Sequence, residues 1–110
     1  MSCLFCKIVA GEIPATLVHD SERVVAFNDI DPQAPVHVLV VPRAHHDNIA
    51  ALSAADPALA AELLAVAASI GAANTGGFRV VMNTGSDGGQ SVNHVHAHVL
   101  AGRGLAWPPG

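Results

Sequence analysis

The run NHVHAHVL, residues 93 to 100, alternates histidine with small apolar residues, so that His94, His96 and His98 fall at every second position with Val95, Ala97 and Val99 between or beside them. Period two is the period of a β-strand, in which successive side chains point to opposite faces. Such a strand needs an apolar layer over one face, and on the other it sets three imidazoles about 6.6 Å apart, twice the rise per residue. Alternation this strict is a poor use of a merely solvated surface. Two chemical readings remain. In one, His-x-His supplies ligands to a catalytic metal; in the other, the middle histidine is a nucleophile whose neighbours orient it and contact the substrate.

The rest of the chain supplies the sheet and its cover. FCKIVAGE predicts a short helix near the N-terminus, ended by Gly11, and TLVHDSERVVAFND predicts two strands joined by a polar turn near Asp20 and Ser21. DIDPQAP (residues 29–35) is a loop, and VHVLVVP after it is a β-branched run closed by Pro42, a third strand. The period then changes between Ser53 and Thr75. Asp56 can cap a helix, Pro57 suits its first position, and Leu59, Leu63, Val66 and Ile70 recur at helical spacing. FRVVMNT and HVHAHVL complete five strands around the glycine loop GSDGGQSV. The expected fold is α+β: one domain over residues 1–110, with an about five-stranded, mainly antiparallel sheet, one main helix and a short N-terminal helix.

Composition narrows the function. Five basic residues against nine acidic ones leave a net charge of -4, with no basic run to neutralise a phosphodiester backbone, so polymeric nucleic acid is not an expected partner. Lys7 and Glu12 interrupt the N-terminus too early for a signal-peptide apolar region, and no run is long enough to span a bilayer, so no membrane is expected and the protein reads as cytoplasmic. In that compartment Cys3 and Cys6, spaced C-x-x-C, form a metal half-site or a redox pair rather than a structural disulfide. NTGSDGGQSV (residues 83–92) offers backbone N–H groups to an anion without any lysine. His37, on the strand face shared by Leu39 and Val41, reads as a satisfied, partly buried histidine, and His19 as a solvated one.

HVHAHVL also fits the His-φ-His-φ-His-φ-φ signature of the histidine triad (HIT) family at every position. With AFNDIDPQAPVHVLVVPRAH, GSDGGQSVNHVHAHVLAGR and the terminal WPPG, the chain resembles the Hint branch of nucleotide phosphoramidases from about Cys3 to Gly110. The resemblance implies that His96 attacks the α-phosphorus of a purine nucleotide, of the AMP or GMP type, and forms a nucleotidyl-histidine that water hydrolyses. It implies that His98 contacts the phosphate or the bridging atom, that Asn83, Gly89 and Ser91 hold phosphate oxygens, and that Ser91 protonates the leaving amine. It puts Asp29 on the ribose hydroxyls and Phe5, Ile8, Phe27 and Ile30 around the base. It implies a structural zinc on Cys3, Cys6, His94 and His45, with His46 open as an alternative to His45, and no catalytic cofactor. It implies a homodimer, with the tail around Trp107 packing near the partner. Hydrolysis of dinucleoside polyphosphates or nucleotidyl-sulfates, or nucleotide binding as an adaptor with incidental hydrolysis, are the other functions open to such a chain.

Overall fold

A computed structural model describes residues 3–110. Its five strands, β1 (Leu17–Asp20), β2 (Val24–Asn28), β3 (Val36–Pro42), β4 (Phe78–Val81) and β5 (Ala97–Ala101), form one antiparallel sheet in the order β1-β2-β3-β5-β4. The turn at Ser21 makes β1 and β2 a hairpin, as their sequence predicts. β5 enters between β3 and β4, so His98 lies on an inner strand of the sheet, with Leu39 opposite His98 and Val40 opposite Ala97.

The alternation sorts the two faces. Val24, Ala26, Val38, Val40, Val95, Ala97 and Val99 point one way and pack on Leu52, Leu59, Ala60, Leu63 and Ala67 of the helices. Burying a leucine is worth roughly 1.5–3 kcal/mol, so the three leucines anchor this layer. On the other face Val25, Phe27, Leu39 and Val41 form a second, smaller cluster with Cys3 and with Phe5 of α1 (Leu4–Val9), flanked by Ile8, Val9, Ala15 and Val92. The rest of that face is left for the site.

The main helix, α3 (Pro57–Ala72), is capped by Asp56, whose side chain accepts from Leu59 N–H. Val66 and Ile70 flank its buried stripe without being fully covered. Glycine at position 71 is required by packing: a Cβ there would meet Phe78 Cδ2 at 2.2 Å. Two elements depart from the sequence reading. A further helix, α2 (Ile49–Ala55), precedes α3, capped by Asn48, and only Asp56, outside helical geometry (φ -151°, ψ 79°), separates the two. Its two turns are too short for an amphipathic period to show.

The fifth strand also begins at Ala97 and not at His94. The β3–β5 ladder ends at the Val40–Ala97 pair, and Val95 N–H turns away to the His46 carbonyl (2.7 Å) beyond the end of β3. Facing is nonetheless kept: Val95 joins the helix-side core.

Candidate functional site

The backbone fixes the protonation pattern of the triad. His94 is fully buried, and its Nε2 lies 2.9 Å from the Pro42 carbonyl. A carbonyl only accepts, so Nε2 carries the proton and Nδ1 keeps its lone pair. His96, 5% exposed, places Nδ1 2.8 Å from the His94 carbonyl. Its Nδ1 therefore donates, and Nε2 presents a free lone pair. Burial lowers the His96 pKa below 6.5, so the ring stays neutral near pH 7.

His98 is set by a longer chain. Gln33 N–H donates to His37 Nδ1 (3.0 Å), which leaves the His37 proton on Nε2. That Nε2 faces His98 Nδ1 at 2.9 Å and Asp29 Oδ2 at 3.4 Å. His98 accepts there and turns its own Nε2–H outward. The same tautomer argues against a metal on Asp29, His37 and His98, although their ligand atoms lie within 4.8 Å of one another. An ion on His37 Nε2 needs a proton on Nδ1, where Gln33 already donates. His37 is thus satisfied and buried, as its position predicts, but it also orients His98, a role the sequence reading does not give it.

Burial, then the neighbouring His96 and His37, press the His98 pKa down to about 4. Below pH 6.5 the unfolded chain binds a proton on this histidine that the folded chain takes up only near its folded pKa. Its contribution to stability is therefore complete above pH 6.5 and is lost as pH falls towards about 4. Melting temperatures between pH 7 and 4.5 should fall more steeply for wild type than for His98→Asn; parallel slopes would contradict the shift.

One apolar pocket of about 300 Å³ opens beside His96 and His98. Of the residues expected around a nucleotide, Phe5, Ile8, Phe27, Asp29, Ile30 and Ser91 line it. Phe5 meets the His96 ring edge-on with centroids 4.9 Å apart, so α1 forms both a pocket wall and a support for the nucleophile candidate. Ile30 is 99% exposed, at the mouth rather than in the wall. Asp29 Oδ1 accepts from Asp31 N–H, which leaves Oδ2 towards His37 and the pocket.

The structure does not bring two expected residues to this pocket. Asn83 lines a cleft on the other side of His98, and Gly89 lines neither cavity. Gly89, in the left-handed region at φ 80°, gives its N–H to the Ser86 carbonyl. The loop is closed on itself by Gln90, which accepts from Gly85 N–H and donates to the Asp47 and Val92 carbonyls. Gln90 is a second residue that the sequence reading passes over, since nothing local marks a glutamine that bonds 43 residues away.

Cys3, Cys6, His45 and His94 meet at the foot of α1. His94 Nδ1 lies 3.5 Å from each sulfur, and His45 Nδ1 lies 3.3 Å from Cys6 Sγ. A tetrahedral ion with bonds of about 2.3 Å to sulfur and about 2.0–2.1 Å to nitrogen holds such atoms about 3.5 Å apart. His45 Nε2 donates to Asp47 Oδ1 (3.1 Å) and His94 Nε2 to Pro42, so both imidazoles turn Nδ1 lone pairs towards the sulfurs. Burial and then the adjacent Cys3 raise the Cys6 thiol pKa, a cost that a cation between the sulfurs reverses. The donor set fits zinc. Of the two neighbouring histidines, His45 faces the cluster, while His46 contributes its backbone carbonyl to Val95.

Among the described residues, no helix is long and apolar enough to cross a membrane. The model of the HIT domain family matches residues 10–105. A 14 kDa zinc-binding protein of Zea mays is 44% identical over 112 residues, covering 97% of this chain and 87% of that protein. An adenylylsulfatase of Arabidopsis thaliana is 43% identical, covering 97% of this chain and 76% of that one. Among solved structures, a HIT family hydrolase from Legionella pneumophila superposes with a TM-score of 0.94 at 46% identity, covering 99% of this chain and 100% of that one.

Proposed function

The chain belongs to the HIT domain family, and from that premise we propose that it hydrolyses purine nucleoside 5′-phosphoramidates through a covalent intermediate on His96. One observation carries the reading. His96 donates Nδ1–H to the His94 carbonyl and so holds an unprotonated Nε2 beside an apolar pocket of about 300 Å³. The same carbonyl stabilises the positive charge the ring acquires when Nε2 bonds to phosphorus.

Nε2 attacks the α-phosphorus, the phosphorus–nitrogen bond breaks, and its electron pair departs on the amine nitrogen, which takes a proton from the Ser91 hydroxyl. Water then attacks phosphorus, the pair of the phosphorus–Nε2 bond returns to the imidazole, and a water proton restores Ser91. His98, neutral with Nε2–H outward, donates a hydrogen bond to a phosphate oxygen or the bridging atom. Asp29 accepts from the ribose hydroxyls, and Phe5, Ile8, Phe27 and Ile30 enclose the base. Asn83 and Gly89 bind phosphate oxygens, which for Gly89 requires the loop to release its N–H from Ser86.

Cys3, Cys6, His45 and His94 hold a structural zinc, and the zinc-binding name of the maize relative supports this. A set of four protein ligands leaves no position for substrate, so the ion supplies fold stability and not chemistry. No catalytic cofactor takes part in this scheme. Cysteines used as metal ligands rather than as a disulfide suit a reducing compartment, and we place the protein in the cytoplasm. Edge strands β1 and β4 and the 82% exposed Trp107 suit a homodimer in which the tail reaches the partner.

Adenylyl-sulfate is the second substrate supported, by the name of the Arabidopsis relative. AMP release from adenosine 5′-phosphoramidate, adenosine 5′-phosphosulfate and a dinucleoside polyphosphate, measured side by side, tests the reading. The phosphoramidate is expected to be cleaved with the highest kcat/KM. Faster cleavage of the sulfate would install the second reading, and no cleavage of any would leave nucleotide binding as an adaptor.

A further inference from the structure

Two adjacent peptide carbonyls, just beyond the end of β3, hold both halves of the site. The His46 carbonyl accepts from the N–H of Val95, next to His96, at 2.7 Å. The Asp47 carbonyl accepts from Nε2 of Gln90, next to Ser91, at 2.6 Å. One short piece of backbone therefore sets where the imidazole stands and where the hydroxyl stands.

The Gln90 amide grips Ser91 from both sides. Gln90 precedes the serine in the chain, and its Nε2 also donates to the carbonyl of Val92, which follows it (3.0 Å). On the other edge of the amide, Oε1 accepts from Gly85 N–H (3.1 Å), while the Gln90 backbone N–H donates to the Gly85 carbonyl (3.0 Å). A primary amide offers two N–H donors and a carbonyl acceptor, and here all are engaged. A carboxylate of the same shape has no donor for Asp47 or Val92, and a hydrocarbon has neither donors nor acceptor.

The remainder of the loop is folded inward. Gly85 is in the left-handed region at φ 73°, and a Cβ on Gly88 would meet the Thr84 carbonyl oxygen at 2.4 Å. Gly89 N–H is given to Ser86 within the loop, so among the described residues Asp47 is the tie between this loop and the end of β3. Gln90 does not line the apolar pocket, whereas Ser91 does, together with His96 and His98. Any effect of Gln90 on the chemistry thus passes through its neighbour.

We propose that Gln90 is a positioning residue for departure of the leaving group: its side-chain amide holds the Ser91 hydroxyl in a fixed place relative to His96. The inference rests on the reading of His96 as nucleophile and Ser91 as the acid. It adds what keeps the two in step.

The test compares adenosine 5′-phosphoramidate, whose amine needs a proton to leave, with the p-nitrophenyl ester of AMP, whose leaving group departs as an anion. Gln90→Met keeps the length of the side chain without its hydrogen bonds. It is expected to lower kcat for the phosphoramidate about 100-fold, the cost of a misplaced acid, with KM little changed. On the ester the loss should stay within about threefold, since no proton is required. The ratio of two rates on one preparation is independent of the folded fraction, so a variant that folds poorly still gives an answer. Gln90→Glu keeps the acceptor for Gly85 and loses both donors, and it should show the same selectivity. Ser91→Ala should show it too. The Gln90→Met/Ser91→Ala double variant should then be no slower on the phosphoramidate than Ser91→Ala alone, because nothing is left to position. Equal losses on both substrates, losses that multiply in the double variant, or wild-type rates for Gln90→Glu would overturn the inference and leave the phosphoramidase reading intact. If Ser91→Ala spares the phosphoramidate, or wild type cleaves neither substrate, the failure lies in that reading and the inference falls with it.

Discussion

His96→Ala is expected to lower AMP release from adenosine 5′-phosphoramidate by about 10⁴-fold or more, the range seen when an enzyme loses its only nucleophile. The size follows from geometry. Nε2 of His96 is the lone pair whose availability the backbone enforces, because the His94 carbonyl accepts from Nδ1 and admits no other neutral tautomer. His98 cannot replace it, since its Nδ1 is engaged with His37 and its Nε2 carries the proton. His94 cannot either, being fully buried with Nε2 on Pro42. The measurement needs wild type and variant with equal metal content and matching melting curves. Two further readings make the result specific. Wild type quenched during turnover should carry a nucleotidyl group on His96, and His96→Gly should recover part of its rate when imidazole is added. A variant that keeps a tenth of wild-type activity would remove His96 from the chemistry and favour water activated by a metal.

How much of this was legible in the sequence depends on distance along the chain. Strands and the main helix announce themselves locally: β-branched runs ended by Pro42 and by polar turns, and a capped repeat from Asp56. The two faces of the histidine segment were also legible, because alternation survives even where the ladder stops at Ala97. The boundary itself was not, since it depends on where β3 runs out beside β5. The same limit governs the site. C-x-x-C marks a half-site, but choosing between His45 and His46 requires knowing which ring the turn after β3 aims at the sulfurs. His37 and His98 are 61 residues apart, and no local pattern says that one will fix the tautomer of the other. Gln33 acts through its backbone N–H, which any residue except proline supplies, so its identity carries no signal. Ile30 shows the converse: resemblance places it at the base, and it does line the pocket, but at the mouth with its side chain almost wholly in water, which no local pattern announces.

Removing the metal should separate stability from chemistry. Chelation, or Cys6→Ser, is expected to lower the melting temperature by about 10 °C or more, equivalent to roughly 2–3 kcal/mol for a domain of this size. That is well below the ~10–16 kcal/mol with which zinc drives the folding of small finger domains. The difference follows from the two cores: Cys3 and Phe5 belong to the smaller cluster, while the helix-side layer of α2, α3 and the sheet contains none of the four ligands. The domain should therefore stay folded without the ion while α1 loosens. Because α1 carries Phe5 and Ile8, nucleotide binding should suffer, with KM rising about tenfold or more as apolar contact with the base is lost. By contrast kcat should change little, since the His94 ring remains tied to the Pro42 carbonyl and its own carbonyl still fixes the His96 proton. Bound metal, melting temperature, KM and kcat measured on the same samples decide the matter. Loss of kcat at unchanged melting temperature would put the ion in the chemistry. No bound metal, together with a melting temperature indifferent to Cys6→Ser, would make the two cysteines ordinary thiols and leave α1 held by the packing of Phe5, Ile8 and Val9.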